Sequence, residues 1–318
     1  MKKVLITGIN GFVGSHLAEL VLEKGYMPYG ITDDKSQVDN IRHIMKMLRI
    51  FQINLLDYEK LLLLLKKIKP DIIFHLAGVK KGRLKDQILI NAIGTENLLR
   101  SVIKARLDPR ILVSGSSAQY GLYYGEKKIT EKDEFRPVSD YGVGKCVQDL
   151  ICMKYLNELK IIRARAFNHI GPREPNSLVA SNIARQIAVI ETKNGTGKVY
   201  LSGNNGIRDF VDVRDVVRAY WLLIRKGRIG EAYNVCSGSG CSIKNIIQTF
   251  RGLTDCHFTV AGLYDRHPHH KDIQLGDPTK IREELGWRRS YSLMRSIKDL
   301  LHYWRHKNEK DRIYEKND

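Results

Sequence analysis

Tyr141 and Lys145 stand four residues apart in the run Tyr141-Gly142-Val143-Gly144-Lys145, a spacing that places both side chains on one face of a helix. A phenol ordinarily titrates near about 10, and a neighbouring ammonium ion draws that value toward neutrality. Such a tyrosine can give its proton to the alkoxide formed when hydride reaches a ketone, or take one in the reverse direction. Lys145 would also grip the hydroxyls of a nicotinamide ribose. Far upstream, Thr7-Gly8-Ile9-Asn10-Gly11-Phe12-Val13-Gly14 is a glycine-rich turn of dinucleotide-binding type. Each motif alone is weak, because surface helices often carry a tyrosine and a lysine at this spacing and many turns need glycine. Together, separated by the length of several βα units, they point to hydride transfer on a dinucleotide-binding fold.

The glycines have separable tasks. Gly8 permits the tight turn, Gly11 lets a pyrophosphate approach the backbone, and Gly14 lets helix and strand pack closely. Asn10, Phe12 and Val13 complete the cofactor-binding turn, and the following helix offers its unpaired N–H groups to phosphate. Asp33 and Asp34 follow the second strand, where an acid would bond the adenosine ribose hydroxyls and repel a 2′-phosphate. On that ground NAD(H) is slightly favoured over NADP(H), although Lys35 and Arg42 nearby could accept a phosphate. Asn54 and Leu55, with Asp57, follow the third strand, where the adenine would be framed. Leu76, Ala77 and Gly78 end the fourth strand and should line the cofactor with backbone. The run Ser114-Gly115-Ser116-Ser117-Ala118-Gln119-Tyr120-Gly121 follows the fifth strand, where a serine hydroxyl can polarise a substrate carbonyl.

The elements that must hold these groups alternate. Apolar runs at 3–7, 26–31, 50–53, 71–76, 110–114 and 161–166 read as strands; stretches at 12–24, 58–68, 92–105 and 141–159 read as helices. This implies an α/β fold, a Rossmann-type doubly wound parallel sheet, with residues 1–167 as the NAD(P)-binding domain. Beyond Phe167, glycine, asparagine and proline loops interrupt shorter elements. Residues 168–306 therefore read mainly as a smaller mixed C-terminal lobe for substrate, and 307–318 as a charged tail. The stretch 210–226 reads as a helix, and 210–235 would rejoin the sheet.

With 43% hydrophobic and 28% charged residues among 318, the composition is that of an ordinary soluble globular protein. No apolar run approaches the roughly 20 residues of a bilayer span, so no membrane partner is expected. The cysteines (Cys146, Cys152, Cys236, Cys241, Cys256) are odd in number and lack metal-type spacing, as suits a reducing cytoplasm. A net charge of +18 is spread along the chain and mixed with acids, whereas a nucleic-acid surface would cluster it with aromatics. No nucleic-acid partner is expected; the charge reads as a basic solvated surface or as steering of an anionic substrate. His267, His269 and His270 sit beside Arg266 and Lys271 without an acid cluster, so no metal site is expected.

With these motifs in place, the chain resembles the extended short-chain dehydrogenase/reductases that act on nucleotide sugars. That family places a catalytic Ser or Thr four residues before a Tyr-Gly, here Ser116 before Tyr120-Gly121. The resemblance thus implies a catalytic set of Ser116, Tyr141 and Lys145. Arg165-Ala166-Phe167-Asn168-His169-Ile170-Gly171-Pro172, the run from Arg208 to Asp215, and Tyr233-Asn234-Val235-Cys236-Ser237-Gly238 are similar to the GDP-4-keto-6-deoxy-D-mannose reductase subgroup. The likeness covers roughly residues 3–305. It implies NAD(P)H-dependent reduction of the C4 ketone of that GDP-sugar to GDP-D-rhamnose or its talose epimer. Ser116, Asn168, Arg208 and Arg266 would then hold the substrate, arginine's planar fork matching phosphate oxygens. It also implies a homodimer paired through two helices per subunit, for which 92–105 and 141–159 are long enough.

Several positions depart from the pattern. Dehydratases of the superfamily carry Thr-Asp-Glu before the Tyr-Gly, whereas Ser117 and Ala118 follow Ser116 here, leaving no carboxylate for elimination of water. Asp140 and Gly144 replace a Pro and a Ser around the tyrosine. Segment 79–88 is short and carries Lys80, Lys81 and Arg83, and Arg173-Glu174 replaces Gly-Gln. Three alternatives stay open: a nucleotide-sugar 4-epimerase with tightly held NAD, a 4-keto reductase of a dTDP- or UDP-sugar, and a non-catalytic dinucleotide sensor. The sensor would have no need of Ser116, Tyr141 and Lys145 together.

Overall fold

Successive residues of the first strand, β1 (Lys3–Thr7), send Val4 and Ile6 into one core and Leu5 into another, because side chains alternate across a pleated strand. Both faces of the sheet are therefore covered, as a parallel sheet requires. The computed structural model describes residues 2–122, 127–193, 195–264 and 272–314. After β1 come α1 (Phe12–Glu23), β2 (Met27–Thr32), β3 (Arg49–Gln52), α2 (Tyr58–Ile68), β4 (Ile72–His75) and the single turn α3 (Leu84–Gln87). A π-helical segment, Ile88–Ile93, leads into α4 (Gly94–Lys104), followed by β5 (Arg110–Ser116), α5 (Asp140–Lys154) and β6 (Lys160–Ala166). The second half runs β7 (Asn168–Ile170), α6 (Val179–Glu191), β8 (Thr196–Asn204), β9 (Ile207–Asp212), α7 (Val213–Lys226) and β10 (Ala232–Val235). It ends with β11 (Gly240–Ser242), α8 (Ile243–Arg251), β12 (His257–Tyr264), β13 (Ile273–Gln274), α9 (Thr279–Leu285) and α10 (Leu293–Tyr314).

Among the described residues, seven strands form one parallel sheet in the order β10-β6-β5-β4-β1-β2-β3. The order reverses between β1 and β4, and at such a switch point the outgoing connections diverge and leave a crevice at the strands' carboxyl ends. One face is packed by α1 and α7 through Leu17, Val21, Val216, Tyr220 and Leu223. The other is packed by α2, α4 and α5 through Leu61, Leu65, Leu98, Val102 and Cys152. In a smaller mixed assembly, β9 pairs with β7, β11 and β13, and β8 pairs with β12. Its own core joins Ile183, Ile187, Val199, Phe250, Leu300 and Trp304. Among the described residues, no helix is long and apolar enough to cross a membrane.

Two sequence expectations need correction. The helix expected to reach 159 stops at Lys154, because Tyr155 leaves the α conformation and its N–H turns back to Cys152. The helix expected from 210 begins only at Val213, because Phe210–Asp212 pair with Asn168–Ile170 as strand.

Gly14 shows how tightly the first βα unit is closed. A Cβ there would lie 2.0 Å from the Gly8 carbonyl oxygen. On helix propensity alone Gly14→Ala would gain roughly 0.5–1 kcal/mol, but backbone overlap in a packed interior costs more. We expect Gly14→Ala to lose about 3 kcal/mol of stability, read as a lower urea midpoint at unchanged slope; a midpoint equal to wild type would refute this account of the turn.

Candidate active site

The chain leaves β1 through Gly8 at φ +71°, with the Gly8 N–H donating to Ile31 O at 2.8 Å. Gly11 is the N-cap of α1; no side chain caps this helix and no acid stands in its first turn. Its leading N–H groups are thus open to an anion at the positive end of the helix. The turn beyond β4 lies against this one, since a Cβ on Gly8 would sit 3.0 Å from Ala77 Cα. Thr7 Oγ1 ties the two together, accepting the Leu76 and Ala77 N–H groups at 3.1 and 3.0 Å. Exposed backbone at Gly11 and Gly78 beside an uncapped helix end fits the pyrophosphate and nicotinamide side of a dinucleotide.

The other residues expected at a cofactor sort differently. Asn10 Nδ2 donates to Asp34 O and Gln37 O at 3.3 and 3.0 Å, bracing the loop after β2. Val13 packs on the core, and Phe12 lies edge-on to His16 with ring centroids 5.9 Å apart. Asp34 is committed to its own loop, accepting the Ser36 N–H and hydroxyl at 2.8 and 2.7 Å. Asp33 is exposed. A cavity of about 230 Å³ opens here, lined by Asn10, Thr32, Asp34, Lys35 and Gln37 among others. Leu55 sends its side chain into the core, where a Cβ on Gly94 would touch it, so only its backbone can meet a ligand. Asn54 and Asp57 already have local work: Asn54 Oδ1 accepts the Leu56 N–H, and Asp57 caps α2 through the Lys60 N–H.

Ser116 ends β5 and caps the short turn Ser117–Gln119, accepting the Ala118 N–H at 3.2 Å. Its own N–H donates to Gln119 Oε1 at 2.8 Å, and Gln119 Nε2 donates to Asp149 Oδ2 at 3.1 Å. Asp149, buried on α5, also pairs with Arg163 at 2.6 Å and Arg165 at 3.0 Å. α5 starts where Ser139 accepts the Gly142 N–H, which sets Tyr141 and Lys145 one turn apart. Lys145 Nζ lies 5.9 Å from the Tyr141 ring centroid and donates to Ser114 O at 2.8 Å and Gln148 Oε1 at 2.9 Å. A Cβ on Gly78 would be 3.6 Å from the same Nζ. The structure thus brings Ser116, Tyr141 and Lys145 to the crevice beside the glycine turn.

Burial raises the Tyr141 phenol above its ordinary value, and its hydrogen bond with Ser116 pulls it part of the way back. Lys145, expected to acidify this phenol, lies over its ring and directs two N–H bonds to Ser114 and Gln148. Burial also brings Lys145 itself down to about 8. Sequence reading missed the polar residues behind this pair. Gln87, Asn91 and Thr95 recur at every fourth position of an otherwise apolar stretch, a spacing that marks one helix face. Asn91 clamps the turn after β4, accepting the Val79 N–H at 2.9 Å and donating to Val79 O at 3.0 Å.

On the lobe side, Asn168 Nδ2 donates to Asp209 O at 3.2 Å. Arg208 pairs with Asp272 at 2.6 Å, so it meets any phosphate as half of an ion pair. Arg266 and the three nearby histidines lie outside the described residues. Lys80 and Lys81 line a cavity of about 410 Å³ with Val79, Ser177 and Leu178.

Comparison with known proteins gives the lineage. The family model for GDP-mannose 4,6 dehydratase matches residues 5–300. The chain belongs to that family. It is an NAD(P)-dependent oxidoreductase of the extended short-chain dehydrogenase/reductase type. It is 26% identical over 313 residues to the GDP-6-deoxy-D-mannose reductase of Pseudomonas aeruginosa, covering 95% of this chain and 97% of that one. It is 28% identical to the GDP-6-deoxy-D-talose 4-dehydrogenase of Aggregatibacter actinomycetemcomitans, covering 93% and 95%. Its fold matches RMD from Pseudomonas aeruginosa complexed with NADPH at a TM-score of 0.79 and 24% identity, over 96% and 100% of the two chains.

Glu174, just after β7, is a buried acid. It is 3% exposed, its Oε2 has no hydrogen-bond partner, and burial pushes its carboxyl up to about 8 against weaker pulls from the Gly171 backbone and Lys80. His169 beside it stays neutral, lowered to about 4 by burial and by Lys80. A carboxyl raised on folding stabilises the protein fully below its unfolded value of 4.5, and that stability is lost as pH rises through about 8. Wild type should therefore lose roughly 2 kcal/mol more stability between pH 6 and 9 than Glu174→Gln. Lys145 titrates in both proteins, so parallel urea titrations isolate Glu174, and identical pH slopes would show that its carboxyl is ionised throughout.

Proposed function

We propose that this family member reduces the C4 ketone of GDP-4-keto-6-deoxy-D-mannose with NAD(P)H, giving GDP-D-rhamnose or its talose epimer. The observation that carries the reading is the turn after Ser116. Ser117 Oγ donates to Gln274 Oε1 at 3.1 Å, and Ala118 has no polar side chain, so this turn offers no carboxylate to remove or return protons in a dehydration. The names of the reductase and dehydrogenase relatives support the same choice of substrate class.

A reduced nicotinamide bound along the two turns would supply the hydride. Ser116 Oγ stands where it can donate to the ketone oxygen, and Tyr141 Oη holds the proton that the resulting alkoxide needs. A phenol raised by burial keeps that proton at neutral pH, which suits the direction of reduction. Lys145 stabilises the phenolate left behind, and its remaining N–H is the donor for a ribose hydroxyl. Gly8, Gly11 and Gly14 shape the phosphate cradle, with backbone at Leu55, Leu76, Ala77 and Gly78 along the cofactor and Asp33 as the candidate for the adenosine ribose. Asn168 and the Arg208–Asp272 pair, with Arg266, are the residues assigned to the GDP end. The exposed side chains of Leu150 and Met153 on α5 support pairing of two copies through α4 and α5.

The test is nicotinamide absorbance with purified protein, GDP-4-keto-6-deoxy-D-mannose, and NADH or NADPH in parallel. Stoichiometric cofactor oxidation is expected, falling by about 100-fold or more in Tyr141→Phe. No oxidation by protein that carries tightly bound NAD would overturn the reductase reading in favour of epimerisation.

A further inference from the structure

Lys145 poses a problem that Tyr141 and Ser116 do not solve. Its side chain is 4% exposed, and an ammonium ion removed from water needs either a carboxylate or well-aimed dipoles. The titratable groups around it are Tyr141 and Cys152 from its own helix, His75 from β4, and Tyr220 from α7, which reaches Ser114 with a 3.0 Å hydroxyl contact. All are neutral at neutral pH. Burial lowers His75 to about 3, with Lys145 adding to that effect, and burial raises Tyr141, Cys152 and Tyr220. Asp149, four residues on, is engaged by Arg163 and Arg165. The charge is therefore met by two neutral oxygens, Ser114 O and Gln148 Oε1.

The backbone oxygen of Ser114 is fixed by the strand. Gln148 is a side chain with two amide orientations, so something must select the one that faces Lys145 with oxygen. The hydrogen bonds on its far side do this. Thr7 Oγ1 accepts the Leu76 and Ala77 N–H groups, so its own proton goes to His75 Nδ1 at 2.8 Å. Neutral His75 then carries its proton on Nε2 and donates to Thr95 Oγ1 at 2.8 Å. The Thr95 hydroxyl donates to Asn91 O at 2.6 Å, so toward Gln148 it can only accept. Gln148 Nε2 donates to it at 2.8 Å, which turns Oε1 toward Lys145. Every proton in the row from the glycine turn to the catalytic lysine has one allowed place.

We infer that Gln148 is a positioning residue that keeps Lys145 charged and aimed, with its amide orientation enforced from the cofactor turn through Thr7, His75 and Thr95. The inference rests on reading Lys145 as part of the catalytic set, but its test does not need turnover. The 13Cε signals of lysine-labelled full-length protein are followed across pH, with Lys145 assigned by its loss in Lys145→Arg. Gln148→Glu places an anion against the ammonium and should move the Lys145 midpoint up by about one to three units. Gln148→Met removes the acceptor at similar size and should move it down by about one unit. If Gln148→Met does not fold, the upward shift in Gln148→Glu decides alone. The alkaline limb of ketone reduction should follow, extending to higher pH in Gln148→Glu and retreating in Gln148→Met. Unmoved midpoints, or shifts of the same sign in both variants, would overturn the role of Gln148 while leaving the reductase reading intact. Opposite shifts without ketone reduction would uphold it and overturn the reductase reading instead.

Discussion

A lysine ammonium held beneath the active site without a carboxylate partner is the constraint around which the rest of the site is arranged. In the proposed reaction Lys145 would stabilise a phenolate and so need its charge, yet burial works against that charge. A carboxylate placed against it would hold the charge but also neutralise its field at Tyr141. Neutral dipoles hold the charge while leaving its field directed at the phenol. Ser114 O is available because β4 pairs with β5 only as far as His75 opposite Val113, which leaves Ser114 past the end of that ladder, at the crevice. The rigidity of the parallel sheet is thus part of the electrostatics of the reaction.

Two adjacent residues of α5 divide the positioning. Gln148 faces Lys145, and Asp149, the next residue and about 100° further round the helix, receives Gln119, Arg163 and Arg165. Through Gln119 the Asp149 side fixes the Ser116 N–H. One helix turn therefore governs both the serine at the end of β5 and the lysine beside it, and neither side chain can adjust without disturbing a buried charge. That coupling suits a reaction in which polarised carbonyl, proton donor and hydride must align within a few tenths of an ångström.

The glycine turn, the strand alternation and the Tyr141–Lys145 spacing were legible in the sequence because each is local: backbone conformation, period two, and one helical turn. What was not legible depends on partners distant in the chain. That Arg208, expected at phosphate, is held by Asp272 is one such case, since the two lie sixty-four residues apart. Leu55, expected at the cofactor, turns its side chain onto Gly94 of α4, a contact its place after β3 does not reveal. The end of α5 and the start of α7 were misjudged because helix periodicity continues through residues that strand pairing or a terminal turn claims. The Gln87, Asn91, Thr95 series was visible as a pattern, but its purpose became clear only once His75 and Gln148 were seen to meet it.

Of the positions expected to depart from the family pattern, Asp140 and Gly144 lie on α5 beside Tyr141, and the others lie on loops. The cofactor side is built from backbone in close contact: a Cβ on Gly14 would collide with the Gly8 carbonyl oxygen, and one on Gly8 would press on Ala77 main chain. Such surfaces tolerate little change whatever the substrate. The facing side is built from side chains on loops: Lys80 and Lys81 after β4, and Arg173-Glu174 after β7. There Arg173 reaches back to Glu19 of α1 at 2.7 Å, while Glu174 sits buried within the field of Lys80. A loop anchored by its arginine to the cofactor half presents its neighbouring acid from a fixed position.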